Sequence, residues 1–358
     1  MNHRIHVITS YISPQRILVL VLLCFIIACS EVQPPAPQKP PFPIITTENL
    51  FAVDAFDALH VWAVGFNSVI VCTSDGGNTW QIQKSGVENN LCDVSFVTRH
   101  KGWITGRGGT ILHTSDGGAS WQRQQSNVDK HLFAVCFVDE THGWAAGEFG
   151  TILHTTDGGA TWRTQKSGED RIFNDIFFID INNGWVAGEY GLLYRTTDGG
   201  NTWLLQECKD IIPVVDETQW ETPTPSLYSI WFIDALRGWA SGMDGVIIAT
   251  QDGGITWKKI NNPAEAFKVT LYKITAHENN VWVVGQKGMY LHSANGGKTW
   301  ELFPDKMNTK FWLRDMDFAD SQHGWAVGSR GTIVKTEDGG NSWVMLSGIP
   351  VRFNANNK

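Results

Sequence analysis

Short apolar runs alternate with polar, glycine-rich segments along most of the chain. Between residues 227 and 260, four runs rich in aromatic and β-branched residues are separated by three short segments of turn-forming residues. The runs are Leu227–Asp234, Gly238–Gly242, Val246–Thr250 and Thr256–Ile260. Runs of this length between turn formers predict β-strands. Four short strands in about 40–45 residues are typical of one blade of a β-propeller.

The same pattern recurs seven times. Each unit contains a Trp that is followed three residues later by Gly, and a second Trp eighteen residues after the first. The pairs are Trp62/Trp80, Trp103/Trp121, Trp144/Trp162, Trp185/Trp203, Trp239/Trp257, Trp282/Trp300 and Trp325/Trp343. Seven such units predict an all-β fold, a seven-bladed β-propeller of four-stranded antiparallel blades.

The spacing of the units also predicts the organisation of the chain. We expect a signal peptide over 1–28, a Pro-rich tether over 29–46, the propeller over 47–350 and a tail over 351–358. The blades are expected at about 48–84, 90–125, 131–166, 172–207, 227–261, 270–304 and 311–347. The extra residues between units four and five, 207–226, predict a long loop. No half-blade is left at either end to exchange a strand, although residues 43–47 could add an outer strand to the last blade.

The third turn of most units reads Thr-x-Asp-Gly-Gly-x-Thr/Ser-Trp, and it closely resembles the Asp box of bacterial neuraminidase repeats. The acid is expected to accept hydrogen bonds from its own turn, where the paired glycines allow positive φ. Because the same residue recurs in every unit, we predict a structural role for all seven: Asp75, Asp116, Asp157, Asp198, Asp252, Asn295 and Asp338.

The N-terminus has the features of an export signal. His3, Arg4 and Arg16 precede or flank an apolar run of eleven residues, 17–27, which is too short to span a bilayer. The run ends in Ala28-Cys29, which resembles the bacterial lipobox and predicts lipidation of Cys29; a plain signal peptide or an uncleaved anchor is the alternative. Six prolines between residues 30 and 43 favour an extended spacer. We therefore expect a lipid-anchored protein on the periplasmic or cell-surface side of the envelope, or on the lumenal side in a photosynthetic host.

Composition and residue spacing argue against several classes of function. The net charge is −8 and no run of Lys or Arg is present, so no nucleic-acid partner is expected. The spacing of the cysteines matches no metal site, and Cys72 and Cys136 fall in strand patterns that predict buried thiols. His113, His154 and His292 recur at one repeat position, which favours packing over metal binding. We predict no metal and no cofactor.

The second turns of the blades differ from unit to unit and share one face with the blade-to-blade connections. We call this the varied face. Aromatic side chains mixed with charge are characteristic of partner recognition, and the long loop over 207–226 is expected on the same face. The candidate binding residues are Phe66, Arg107, Glu148, Phe149, Glu189, Tyr190, Asp244, Lys287, Arg330 and, in the loop, Trp220.

The repeat is similar to that of the photosystem II stability/assembly factor family. The stretch from Gly143 to Gly159 (GWAAGEFGTILHTTDGG) is a close example, and the likeness spans about residues 48–347. The resemblance implies a non-enzymatic scaffold or chaperone that binds a protein partner, such as a membrane-protein subunit under assembly. Some members also resemble this chain in having a lipobox. We expect a monomer that contacts the membrane through its lipid.

Two other functions were weighed. A glycoside hydrolase, sialidase-like or endoglucanase-like, could use two of Glu148, Glu189 and Asp244, but the arginine triad of sialidases has no counterpart near Tyr190. P-loop, zinc-protease and nucleophile-elbow motifs are also missing from the sequence. We therefore predict no catalytic residue and no enzyme activity. A purely structural envelope protein is the remaining alternative.

Overall fold

Seven antiparallel sheets of four strands each form the described part of the chain. The computed structural model describes residues 44–166, 168–213, 223–303 and 306–348. Within each sheet the strands follow one another in chain order, and all four come from one continuous segment. The predicted seven-bladed β-propeller is confirmed. The proposed signal peptide, most of the tether, Cys29, Trp220 and the tail from 351 lie outside the described residues.

Each blade runs from an inner strand at the central channel to an outer strand at the rim. The inner strands are β1 (Leu50–Ala55), β5 (Leu91–Phe96), β9 (Leu132–Phe137), β13 (Phe173–Phe178), β17 (Leu227–Phe232), β21 (Leu271–His277) and β25 (Leu313–Phe318). The second strands are β2 (Val61–Gly65), β6 (Gly102–Gly106), β10 (Gly143–Gly147), β14 (Gly184–Gly188), β18 (Gly238–Gly242), β22 (Asn280–Gly285) and β26 (Gly324–Gly328).

The outer half of each blade completes the sheet. The third strands are β3 (Ile70–Thr73), β7 (Thr110–Thr114), β11 (Ile152–Thr155), β15 (Leu193–Thr196), β19 (Ile247–Thr250), β23 (Tyr290–Ser293) and β27 (Ile333–Thr336). The outer strands are β4 (Gln81–Gln83), β8 (Gln122–Gln124), β12 (Arg163–Lys166), β16 (Leu204–Gln206), β20 (Lys258–Lys259), β24 (Glu301–Leu302) and β28 (Val344–Ser347).

Short 3-10 turns are the helical elements of the described chain. Six of them are second turns, and the other two lie in blade connections. The six are Phe66–Ser68, Glu148–Gly150, Glu189–Gly191, Met243–Gly245, Gln286–Gly288 and Ser329–Gly331. The other two are Lys209–Ile211 and Pro263–Phe267. Cys208 and Ile211 are buried, so the start of the long loop packs against the fifth blade.

The hydrophobic core lies between neighbouring blades, where aromatic rings stack in a repeated order. Trp103 of blade two stacks on Phe137 of blade three with centroids 3.6 Å apart, and Phe137 meets Trp162 edge-on at 5.8 Å. The same arrangement joins blades one to two, three to four, four to five and six to seven. Such stacks contribute beyond the area that they bury.

A glycine at the start of the second strand makes room for each of these Phe rings. A Cβ on Gly143 would lie 2.4 Å from the Phe137 ring. The first and sixth blades use the opposite combination: Val61 pairs with Ala55, and Val281 pairs with Ala276. The two facing positions therefore hold either a Phe with a Gly or an Ala with a Val. Either combination fills the space between the strands, so the interior stays closely packed.

Polar side chains also connect the blades. The indole N–H of Trp103 donates to the Gly158 carbonyl in the Asp box of the next blade (3.0 Å), and Gln124 Nε2 donates to the same carbonyl (2.9 Å). Gln83 and Gln165 repeat this contact in blades one and three. Positive φ at the box glycine allows its carbonyl to face the neighbouring blade.

The ring is closed by side chains of the last blade that bind the first. Asp315 Oδ2 accepts the backbone N–H of Val53 (2.8 Å), and Asp317 Oδ2 accepts that of Ala55 (2.9 Å). Residues 44–47 do not form the additional outer strand considered above. Instead, Ile45 donates its N–H to Ser347 Oγ (3.2 Å). The boundary between blades seven and one, which we call the closing seam, therefore involves no exchanged strand in the described chain.

Candidate functional site

The varied face is built from the second turns and the connections that lead into the inner strands. Leu50, which begins the first inner strand, pairs with Gly65, which ends the second strand. The same register holds in the other blades. Antiparallel pairing thus places every connection beside the second turn of its own blade.

The second turns display large side chains at a strained backbone position. Phe149 has φ +53° and is 48 % exposed, and Tyr190 has φ +55° and is 53 % exposed. Asp244, Lys287 and Arg330 occupy the same left-handed position and are also exposed. Phe66 and Arg107, which come one residue earlier in their turns, are exposed as well. Non-glycine residues in this region cost about 1–3 kcal/mol each and often mark functional sites.

Two of the candidate residues have their carboxylates engaged within their own blade. Glu148 Oε2 accepts the backbone N–H of His131 (2.9 Å), and Glu189 Oε2 accepts that of Ile172 (3.0 Å). The first turn residue therefore fixes the connection to the turn. In these two turns the second residue, Phe149 or Tyr190, is the one whose side chain is exposed.

Three blades carry a cation beside an aromatic ring at a constant separation of nineteen residues. Lys130 Nζ lies 5.0 Å from the Phe149 ring centre, and the Arg171 guanidinium lies 5.1 Å from that of Tyr190. In the last blade the order is reversed, with Arg330 4.7 Å from Phe311. Sequence reasoning missed these pairs. The sequence signal for them is a residue of the blade connection and a residue of the second turn, one cationic and one aromatic, that lie nineteen positions apart.

The sixth and seventh blades concentrate positive charge on the varied face. Lys268, Lys287, Arg314 and Arg330 make no ion pair within 4 Å to any described carboxylate. Phe267 stands beside Lys268 and is 54 % exposed. In a chain with a net charge of −8, these residues form a basic patch, and charge complementarity can orient a partner on a patch of this kind.

The centre of this face is the mouth of the channel. The second residue of each inner strand lines it: Phe51, Cys92, Phe133, Asn174, Tyr228, Tyr272 and Arg314. The Arg314 guanidinium lies 4.9 Å from the Tyr272 ring centre and 5.5 Å from that of Tyr228. Arg171 and Arg314 thus add to the arginines that the second turns predict for this face.

Beside Phe149 the varied face also has a groove of about 750 Å³. It is lined by residues 123–130, by Phe149 and Thr151, and by Thr164 and Gly168 of the third blade. Gln124 in its lining donates to the Gly158 carbonyl and accepts from the Trp162 indole of the next blade. One side chain of the groove is therefore fixed at both of its amide atoms.

The Asp boxes occupy the opposite face and are engaged in their own turns. Asp157 Oδ1 accepts the Thr161 N–H (2.8 Å), and its Oδ2 accepts the Thr161 hydroxyl (2.7 Å). Asn295 Oδ1 likewise accepts the Thr299 N–H (2.9 Å). These bonds lower the pKa of the box acids, with that of Asp75 falling to about 2. Ionised acids held in this way are poor proton donors.

The histidines at the repeat position, His113, His154 and His292, pack against the first Trp of their blades. His154 stacks on Trp144 at 4.7 Å, and burial lowers its pKa to about 4. Cys72, Cys92, Cys136 and Cys208 are free thiols, and burial raises the pKa of Cys136 to about 12. No group of three His, Cys, Asp or Glu side chains in the described ranges is arranged to hold a metal ion. No helix found there has the length and apolar composition needed to cross a bilayer.

Comparisons with solved structures find the same fold in other proteins. The chain is similar to the solved structure "YCF48 bound to D1 peptide", with 22 % identity, a TM-score of 0.67, and coverage of 85 % of this chain and 99 % of the other. It is similar to YCF48 from Cyanidioschyzon merolae, with 19 % identity, a TM-score of 0.66, and coverage of 83 % and 98 %. A GH74 xyloglucanase from Xanthomonas campestris shares the fold at 11 % identity, with a TM-score of 0.66, and this chain covers 56 % of it.

The search of curated proteins gives no match. The family model described as photosynthesis system II assembly factor YCF48 matches residues 41–127, 119–214, 212–307 and 304–354. These matches cover the seven blades from the first to the last. The chain belongs to the photosynthesis system II assembly factor YCF48 family.

Proposed function

We propose that this protein is a non-enzymatic assembly factor that holds a protein partner on its varied face. The observation that carries the proposal is the set of cation–aromatic pairs on this face, Lys130/Phe149, Arg171/Tyr190 and Phe311/Arg330. Aromatic and arginine side chains are the residues that most often dominate binding energy. A YCF48 structure described as bound to a D1 peptide supports a protein as the partner. A membrane-protein subunit under assembly is the partner class that we propose.

The pairs suit recognition because their rings are held in place before binding. A cation over a ring contributes about 0.5–1 kcal/mol at an exposed site. The short turn fixes the backbone, so that few rotamers are lost when a partner arrives, and preorganisation of this kind improves affinity. The basic residues of blades six and seven would orient the partner on the same face.

Site-specific photo-crosslinking in the native host tests this proposal. A photoreactive phenylalanine at position 149 or 190 should give adducts with a protein partner, whereas the same group at Ala160 should give none. Ala160 belongs to the same blade as Phe149 but is exposed in the Asp-box turn of the other face. Lys130→Ala should lower the yield at position 149. Equal yields from both faces would contradict the proposal.

We further propose that the propeller is tethered to the cell envelope by a lipid on Cys29 and acts there as a monomer. The apolar run over 17–27, the Ala28-Cys29 sequence and the proline-rich segment support this. Labelled palmitate should be incorporated into the wild-type protein but not into the Cys29→Ala variant, which should leave the membrane fraction. Retention of label by that variant would argue against the anchor. Light scattering of the soluble propeller should give the mass of one chain.

A glycoside hydrolase is the weaker candidate. The GH74 likeness is at 11 % and 14 % identity and concerns the fold. Of the acids that such a mechanism would borrow, Glu148 and Glu189 already accept backbone N–H groups. A panel of glycans should therefore show no turnover with the purified propeller. Turnover that disappears in Glu189→Gln would support the hydrolase instead.

A further inference from the structure

Five carboxylates from five positions of the inner strands converge in the central channel below its mouth. Each uses one oxygen to hold the backbone of the next blade. Asp54 accepts from Phe96, Asp93 from Val135 and Asp175 from Ile230, and the closing seam has the two bonds of Asp315 and Asp317. The distances lie between 2.7 and 2.9 Å. The carboxylates are therefore the side chains that join one inner strand to the next in four of the seven seams.

One cation faces these five acids. Lys273 Nζ lies 3.2 Å from Asp315 Oδ1. Enclosure in the channel opposes the charge on Lys273, but the nearby charges of Asp315, Asp175 and Asp93 raise its pKa overall. With all six groups charged, five negative charges and one positive charge leave a net charge of −4 inside the ring. Like charges gathered along one channel repel one another.

The channel favours proton uptake by these acids. Burial raises the pKa of Asp93 to about 7, and burial also raises the pKa of Asp175 and Asp317. The pKa of Asp54 is raised well above its ordinary value by burial and by the charge of Asp317. Asp54 and Asp317 belong to the first and last inner strands, so this repulsion acts across the closing seam.

The closing seam lacks three side-chain contacts that recur at other boundaries between blades. Ala55 stands where five blades place a Phe for the aromatic stack, and Leu346 stands where Gln83, Gln124 and Gln165 form bonds between blades. The indole N–H of Trp325 is buried without a partner, whereas that of Trp103 donates to the next Asp box. Asp315 and Asp317 therefore bond the two inner strands of the seam directly, beside the Asn49 and Ser347 bonds of its outer parts.

We propose that the closing seam is a proton-sensitive latch, more stable when Asp54 or Asp317 carries a proton and less stable when both are ionised. The groups that face this pair are Asp315 on the same strand as Asp317, Asp93 from β5, Asp175 from β13, Cys136 from β9 and Lys273 from β21. A raised pKa in the folded chain means that stability is present at low pH and is lost as pH rises through the folded pKa. The latch thus tightens in mild acid and loosens toward alkaline pH.

Hydrogen exchange of the whole propeller tests the latch. After correction for intrinsic rates, the amides of residues 50–55 and 313–318 should be protected about tenfold less at pH 8.5 than at pH 6, the change that one pKa unit produces. The second strands β10 and β18, which lie outside the seam and pair through their backbone with the strands of their own blades, should change less. Equal protection of the seam at both pH values would overturn the proposal.

Two isosteric variants make the test specific. Asp317→Asn keeps an oxygen that can accept the Ala55 N–H but removes the charge, so most of the pH difference should disappear. Asp54→Asn should have the same effect and serves if the first variant does not fold. Asp157→Asn, in an exposed Asp box, should leave the seam's pH difference unchanged. A difference that persists in Asp317→Asn and Asp54→Asn would also overturn the proposal.

Discussion

The side-chain oxygen of Gln124 accepts a hydrogen bond from the indole N–H of Trp162, 3.1 Å away across the boundary between blades two and three. The amide nitrogen of the same side chain donates to the Gly158 carbonyl. One glutamine therefore satisfies two polar groups of the next blade. Such groups are costly to leave without partners in a protein interior.

Gln124→Leu should lower the free energy of unfolding by about 1–3 kcal/mol, because it removes one bond from Trp162 and another from Gly158. Urea unfolding followed by Trp fluorescence measures the change. Gln206→Leu is the matched control, since Gln206 has the same place in blade four but donates to carbonyls of its own strand. If both variants lose equal stability, the bonds between blades are not the cause.

The facing positions hold either Phe with Gly or Ala with Val, so we expect that a loss of stability from one substitution is partly restored by the other. Gly143→Val should clash with the Phe137 ring and cost about 1–3 kcal/mol. Phe137→Ala should leave a cavity and cost about 3–5 kcal/mol. The double variant reproduces the Ala55/Val61 combination of blade one, so it should lose less than the sum of the two single losses. Calorimetry of all four proteins measures the coupling, and simple additivity would contradict the packing described here.

The sequence predicted the architecture because the Trp pairs mark every blade at one spacing, which leaves no freedom in the blade count. It did not predict the channel. The first strand of each unit reads as an apolar run, although Asp93, Asp175 and Asp315 sit at one repeated position that lines the channel. The role of Glu148 was also missed, since an acid in a turn looks the same whether it faces solvent or accepts a backbone N–H.

The sixth Asp box has Asn295 where the other boxes have Asp, so the contribution of the carboxylate can be tested by introducing one. Asn295→Asp should strengthen the turn at pH 7, because a carboxylate accepts from the Thr299 N–H and hydroxyl more strongly than an amide does. The pKa of the box acids is lowered on folding, so their stabilisation is present above pH 4 and is lost as pH falls toward 2. A melting temperature raised by a few degrees at pH 7 and unchanged at pH 2 is expected. Asp157→Asn should show the opposite pH trend, and a gain that persists at pH 2 would contradict this account.

Substitution of Phe149 distinguishes a role of its ring in partner binding from a role in stability. Phe149→Gly relieves the left-handed strain and removes a half-exposed ring, so the free energy of unfolding should stay within about 1 kcal/mol of wild type. Partner crosslinking through a photoreactive group at Tyr190 should nevertheless decrease. Phe137→Ala, at a buried ring, provides the contrast in urea unfolding. A large loss of stability in Phe149→Gly would mean that the ring serves the fold.

Every blade is made from one uninterrupted stretch of chain, and the described part of the closing seam is held by hydrogen bonds and packing. The same ring of blades could therefore form from a chain that begins at a different blade. A circular permutant opened between residues 84 and 90, with the original ends joined by a flexible peptide, should build the same ring. Gene rearrangements that rotate the order of the units would in the same way leave the architecture unchanged, which gives repeats of this kind a simple route to diversify.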